Sequence, residues 1–133
     1  MSDLSLPGPA VNQESAPVWN AMQAGTFQIG HCPSCGRHHW YPRSFCPFCF
    51  AAGAALVSAS GRGTIYSYSV TRLSKRQHVV AYVTLAEGPI MLTNLVDCPL
   101  DALAVGRAVR LVYRSGDNGI PVPLFTLDEG AAA

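Results

Sequence analysis

Two C-x2-C pairs ten residues apart, one short helical stretch before them and five alternating stretches after them predict a mainly β protein. In chain order it should run as a short N-terminal helix, a metal-holding ribbon and a five-stranded barrel. The 133 residues are 49% hydrophobic and 13% charged, which supplies apolar material for a core and argues against global disorder.

Each element has its own signal. Residues 1–16, "MSDLSLPGPAVNQESA", are rich in Pro, Ser and small polar residues and predict a flexible arm. "APVWNAMQAG" places Pro17 near a helix start, Val18, Trp19 and Met22 at apolar positions and a stop at Gly25. A helix this short cannot stand alone, so Trp19 and Met22 must pack on something. A strand at Thr26–Ile29 opens the cysteine module, and the helix and module together take residues 17–54.

From Ala55 the pattern changes to alternation, which assigns residues 55–128 to the barrel and 129–133 to a tail. "GTIYSYSV" sets Tyr66, Tyr68 and Val70 on one face, with the two tyrosines expected to line the core. "HVVAYVTL" sets Val79, Ala81, Val83 and Leu85 on one face. "PIMLTNLV", "AVRLVY" and "VPLFTL" are the remaining strands, the last marked by Pro123 as an edge or a bulge. "AEGP" is a tight turn, and "CPLDALAVG" suits a short helix or turn between the third and fourth strands. Five strands with a small helical plug at that place is the layout of an OB-fold, although a small sandwich would alternate in the same way.

Cys32, Cys35, Cys46 and Cys49 carry the clearest chemistry. Two residues between cysteines let both sulfurs face one centre, and two such knuckles complete a closed tetrahedral shell. Gly36 supplies backbone freedom after the second cysteine, while Pro33 and Pro47 stiffen the turns. A thioredoxin-type redox motif would need a single pair at a helix N-terminus. Four sulfurs leave no open position for substrate, so the metal is read as one structural zinc, with iron in the same shell left open. Structural zinc supplies about 10–16 kcal/mol in small fingers, against a total of about 5–15 kcal/mol for a whole domain. The metal should therefore decide whether the ribbon folds. His31, His38 and His39 lie beside a shell that is already complete, and Cys98 is read as a small hydrophobe.

Further candidates are weaker. Trp40, Tyr41, Phe45, Phe48 and Phe50 are many aromatics for a module with little interior, so a subset should form a partner-docking surface. "RLSKRQH" is expected as the loop between the first two barrel strands, and Arg72, Lys75 and Arg76 make it a candidate anion site, coenzyme A included. "SGRG" lacks a phosphate-cradle pattern and is read as a hinge between ribbon and barrel. No catalytic constellation is visible, which argues against an enzyme acting alone.

Nine basic residues against eight acidic ones give a net charge of +1, a poor balance for a chain that lives on phosphate backbones. A single-stranded nucleic-acid module of ribbon and OB-fold is therefore the alternative function, not the leading one. No apolar run reaches the length of a membrane span, and the first residues lack the parts of a signal peptide. A cytoplasmic protein without membrane contact is expected, where paired cysteines hold metal more often than they form disulfides.

The stretches "VWNAMQAGTFQIGHC", "CPSCGRHHWYPRSFCPFC", "SGRGTIYSYSV", "VVAYVTLAEGPIMLTNLV", "LAVGRAVRLVY" and "PVPLFTL" resemble a family of acyl-CoA-associated proteins. That family combines an N-terminal helix, a rubredoxin-like zinc ribbon and a C-terminal OB-fold. The resemblance implies an accessory subunit that docks on a thiolase-like or related acyl-CoA enzyme and helps position coenzyme-A thioesters. It carries Cys32, Cys35, Cys46 and Cys49 over as metal ligands. It maps no coenzyme-A contact onto a short motif of this chain, so Arg72, Lys75 and Arg76 stand on charge alone.

Overall fold

The computed structural model describes residues 6–73 and 76–130, with the backbone alone at Leu73 and Arg76. Its elements are helix α1 (Ala16–Gln23), strands β1 (Gln28–His31), β2 (His38–His39), β3 (Ala55–Ser58), β4 (Arg62–Leu73), β5 (Arg76–Leu85) and β6 (Ile90–Leu95), a 3-10 turn at Leu100–Ala102, and strands β7 (Ala108–Ser115) and β8 (Pro121–Leu127). No helix among the described residues is long and apolar enough to cross a membrane.

α1 starts where Pro17 favours a helical φ, behind a local clasp in which Ser15 and Asn12 each donate a backbone N–H to the other's side chain at 2.8 and 3.1 Å. Val18, Trp19 and Met22 are buried on one face. Each such burial is worth roughly 1.5–3 kcal/mol, which the short helix lacks in isolation.

The described part of the expected arm is tied down. The Asp117 N–H donates to Leu6 O at 2.9 Å. Gly8 N–H donates to Asp117 Oδ1 at 2.8 Å, and the Asn118 amide reaches Pro9 O at 3.2 Å. The polar turn between β7 and β8 gives the segment partners that composition could not reveal.

Two sheets follow. The ribbon sheet runs β2-β1-β3, so Ala55–Ser58, which starts the alternating stretch, pairs with β1 and not with the barrel. The second sheet closes as β4-β5-β6-β8-β7, with β4 returning to β7, and this is the OB-fold strand order. Pro123 sits where β8 pairs with β7 alone, since β6 meets β8 only at Leu95 and Phe125.

Val79, Ala81, Val83 and Leu85 all point inward, as their alternation predicts. β4 departs from its simple reading. A bulge lies between Ile65, opposite Val83, and Ser67, opposite Tyr82. One extra residue reverses the parity of everything after it. Ile65 is therefore inside, while Tyr66, expected in the core, is exposed. Tyr68 keeps the inward register of Ala81 but stays part-exposed and donates its hydroxyl to Leu103 O at 3.1 Å.

"RLSKRQH" is not a broad loop. Its backbone continues the hairpin, with Arg72 opposite Gln77 and Leu73 opposite Arg76. "SGRG" is not a loose hinge either. Leu111 N–H donates to Gly61 O at 2.7 Å, Ala86 N–H to Arg62 O at 2.8 Å, and Ser60 N–H to Glu87 Oε2 at 2.8 Å. One continuous core runs from Val18 and Trp19 of α1 through Phe27 and Ile29 to Ile65, Val83 and Phe125 of the barrel. Helix, ribbon and barrel thus share a single interior.

Gly63 marks a close approach, because a Cβ there would stand 2.5 Å from Thr84 O and 2.7 Å from a Val83 methyl. A backbone oxygen in a paired strand cannot step aside. Gly63→Ala is expected to cost about 1–3 kcal/mol, read as a lower urea midpoint at unchanged metal content.

Candidate metal centre

The two knuckles are built on one hydrogen-bond frame used twice. In the first, Cys32 N–H donates to Arg37 O at 3.0 Å and Gly36 N–H to Cys32 O at 2.8 Å. In the second, Cys46 N–H donates to Ala51 O and Phe50 N–H to Cys46 O, both at 3.0 Å. Inside each turn, backbone N–H groups point at sulfur. Cys35 N–H approaches Cys32 Sγ at 3.4 Å, while Phe48 and Cys49 N–H approach Cys46 Sγ at 3.4 and 3.5 Å.

The frame brings all four Sγ atoms within 4.8 Å of one another. The shortest separations run between knuckles, Cys32 to Cys49 at 3.6 Å and Cys35 to Cys46 at 3.7 Å. A zinc ion with sulfurs at about 2.3 Å has a tetrahedral edge of about 3.8 Å, so the donor set fits such an ion. Cys32 and Cys46 are buried and Cys35 and Cys49 exposed, which places the centre at the outer tip of the ribbon.

The thiols differ in acidity. Backbone N–H groups, chiefly that of Cys49 and then Phe48, pull Cys46 down to about 6 against the cost of burial. Cys35 N–H does the same for Cys32, whose value is lowered. At Cys49 the Ala51 N–H also lowers the value. Burial and the neighbouring Cys32, Cys46 and Cys35 outweigh it, and the thiol is pushed up to about 11. Negative charge cannot accumulate on four adjacent sulfurs without a cation among them.

The three neighbouring histidines stay outside the sulfur cluster. His31 and His38 are cross-strand partners with ring centroids 4.9 Å apart. His39 is buried, its Nδ1 3.1 Å from Tyr41 O. Cys98 lies far along the chain between β6 and β7, and burial raises its pKa, which suits a packing residue and not a nucleophile.

The five ribbon aromatics separate into two groups. Trp40 and Tyr41 pack against the core, Trp40 on Phe27 at 5.9 Å between ring centroids and Tyr41 accepting from Trp19 Nε1 at 3.3 Å. They hold the inter-knuckle segment to Phe27 and to Trp19 of α1 and are half-buried. Phe45, Phe48 and Phe50 are exposed at 60%, 45% and 78%. Arg37 lies over the Phe48 ring at 3.8 Å, a pairing of the two knuckles that sequence gave no sign of.

Phe50 holds the position after the second cysteine that Gly36 holds in the other knuckle. Both have positive φ, 65° for Phe50 and 78° for Gly36. Glycine is at ease there and a bulky residue is strained. Of the anion candidates, Arg72 is exposed near the end of β4, Lys75 lies outside the described residues and Arg76 begins β5.

Comparison with known proteins places this geometry among relatives. Residues 19–54 match the family model "ChsH2, rubredoxin-like zinc ribbon domain", and residues 56–114 match "ChsH2, C-terminal OB-fold domain". A "Probable enoyl-CoA hydratase alpha subunit" of Thermomonospora curvata is 32% identical over 124 residues, 90% of this chain and 39% of the relative. The chain thus spans about two-fifths of that relative's length. A "DUF35 domain-containing scaffold protein" of Methanothermobacter thermautotrophicus is 33% identical over 100 residues, 67% of this chain and 75% of the relative. The solved structure "Ltp2-ChsH2(DUF35) aldolase" superposes with a TM-score of 0.79 at 30% identity, covering 90% of this chain and 98% of that one.

The thiol acidities set the proton balance of metal binding. Cys46, depressed to about 6, keeps its thiolate well below the ordinary thiol range and loses it as pH falls through that value. Metal affinity should fall as pH falls, because protons compete with the metal for each thiolate, followed with a chromogenic chelator. Cys49, raised to about 11 before metal arrives, must give up its proton on loading. Metal titration at pH 7 is expected to release protons, read as a buffer-dependent heat.

Proposed function

The chain belongs to the DUF35 family of ChsH2-type zinc-ribbon and OB-fold proteins, and from that premise we propose a non-catalytic accessory subunit that docks on an acyl-CoA enzyme. The partner class is the hydratase or aldolase type that the relatives' descriptions mention, or the thiolase-like type to which the sequence resemblance points. The metal is one structural zinc, because four thiolates close its shell and leave it no position for a substrate. Reduced, metal-bound cysteines suit a cytoplasmic setting. A share in positioning coenzyme-A thioesters rests on the charge of Arg72, Lys75 and Arg76.

Phe50 carries the docking reading. It is the most exposed large hydrophobic side chain among the described residues, held at a φ where glycine would be relaxed. Strain of this kind costs about 1–2 kcal/mol, and water gives nothing back for exposing a phenyl ring. A partner surface would. Phe45 and Phe48 stand exposed on the same ribbon, and the zinc fixes the turns that present them.

Affinity purification from native cells, with co-purifying chains identified and metal quantified, tests the proposal. A near-stoichiometric acyl-CoA enzyme chain with one zinc per copy is expected, and the isolated chain should show no turnover. Arrival alone, or a partner fully active and soluble without this chain, would sink it. Phe50→Gly separates stability from docking. The free chain should gain about 1 kcal/mol by relieving the left-handed strain, measured by denaturation, while affinity for the partner falls roughly tenfold.

A further inference from the structure

A second surface lies on the barrel, away from the sulfur cluster. On the outward face of β4–β6, Tyr82 stands directly opposite Ser67 on one side and Leu92 on the other. Val80 is opposite Ser69 and Asn94, and Thr84 is opposite Thr64 and Ile90. The β4 bulge turns Tyr66 out beside them. Tyr66, Val80, Tyr82, Ile90 and Leu92 are all exposed. Residues 64–69, 80–84 and 90–94 contain no Asp, Glu, Lys or Arg. Solvent-facing strands ordinarily carry charge, whereas aromatic enrichment with charge depletion marks the centre of a protein interface.

The chemistry of this face selects its occupant. Single-stranded nucleic acid or an anionic lipid surface needs cations across the face, and the centre of this one holds none, with Arg62 and Arg72 only at the ends of β4. The feature here is a sheet face and not a strand edge, so it offers side chains and no main-chain donors or acceptors for an added strand. Recognition must be side chain on side chain, against a folded surface that is itself apolar and uncharged at its centre. The patch is also continuous with the ribbon. The turn at Glu87–Pro89 that leads into Ile90 shares a cleft with Arg37, His38 and Phe48.

We propose that the outward face of β4–β6, centred on Tyr82 and Leu92, is a second docking surface, covered by the same acyl-CoA enzyme subunit that meets the knuckle phenylalanines. The proposal rests on the accessory reading above and extends it: one partner body spans ribbon and barrel across the Phe48–Pro89 seam.

The test uses the full chain and the acyl-CoA enzyme chain identified by the purification above. Tyr82→Arg and Leu92→Arg put charge on the face. Val11→Arg does the same at an exposed apolar residue off it, in the segment before α1. Both face variants should weaken the complex roughly tenfold or more, with zinc content and melting temperature of the free chain unchanged, and Val11→Arg should not. Affinities within about twofold of wild type, while Phe50→Gly still weakens binding, would overturn this surface and leave the docking reading standing. Failure of the wild-type chain to bind the enzyme would overturn both. A free-chain dimer that the face variants convert to monomer would assign the face to a second copy instead. Tight binding of a single-stranded oligonucleotide abolished by Tyr82→Arg would assign it to nucleic acid.

Discussion

Four sulfurs within 4.8 Å of one another are the constraint on which the ribbon depends. Backbone N–H groups favour thiolate on Cys32 and Cys46, and the crowding then forbids it on Cys49. Only a cation at the centre lets all four ionise together. A cation there would lock the two knuckle frames together and with them the tight turns that carry Phe45, Phe48 and Phe50. The metal's role is then geometric. It lets a module with almost no interior keep large apolar side chains in water.

The second structural fact is that the ribbon does not hang from the barrel. Phe27 and Ile29 of the ribbon, Trp19 of the helix and Phe125 of the barrel belong to one core. The Ser60–Arg62 crossing is bonded on both sides, to Glu87 and Ala86 and to Leu111. Any partner that grips the knuckles therefore meets the barrel in a fixed relation. That relation would let the two proposed surfaces act as one.

The sequence showed the metal ligands and the strand pattern because both are periodic. Cysteine spacing reports directly on tetrahedral geometry, and the inward run of Val79, Ala81, Val83 and Leu85 is plain alternation. What it hid was non-periodic or long-range. A one-residue bulge is invisible in "GTIYSYSV", yet it sends Tyr66 outward. The arm reads as loose because its partners, Asp117 and Asn118, lie more than a hundred residues away. Trp40 and Tyr41 look like their exposed neighbours until α1 is packed on them. Barrel closure depends on β4 meeting β7, a pairing that no local pattern reports. The outer face was readable in principle, since an inward Val79–Leu85 row implies an outward Val80, Tyr82 and Thr84.

The distribution of strain and charge supports the proposed accessory role. Active sites concentrate perturbed titratable groups in a cleft. Here the largest shifts fall on metal-shell thiols, which a bound metal takes out of acid–base chemistry. The costly features face outward instead: a phenylalanine in a left-handed turn, and an uncharged apolar centre on the outer face of β4–β6. Each destabilises or desolubilises the chain on its own. A second chain that covers both removes the two costs together. Under the proposed accessory role, that expense is directed at an interface and the chemistry falls to the partner enzyme.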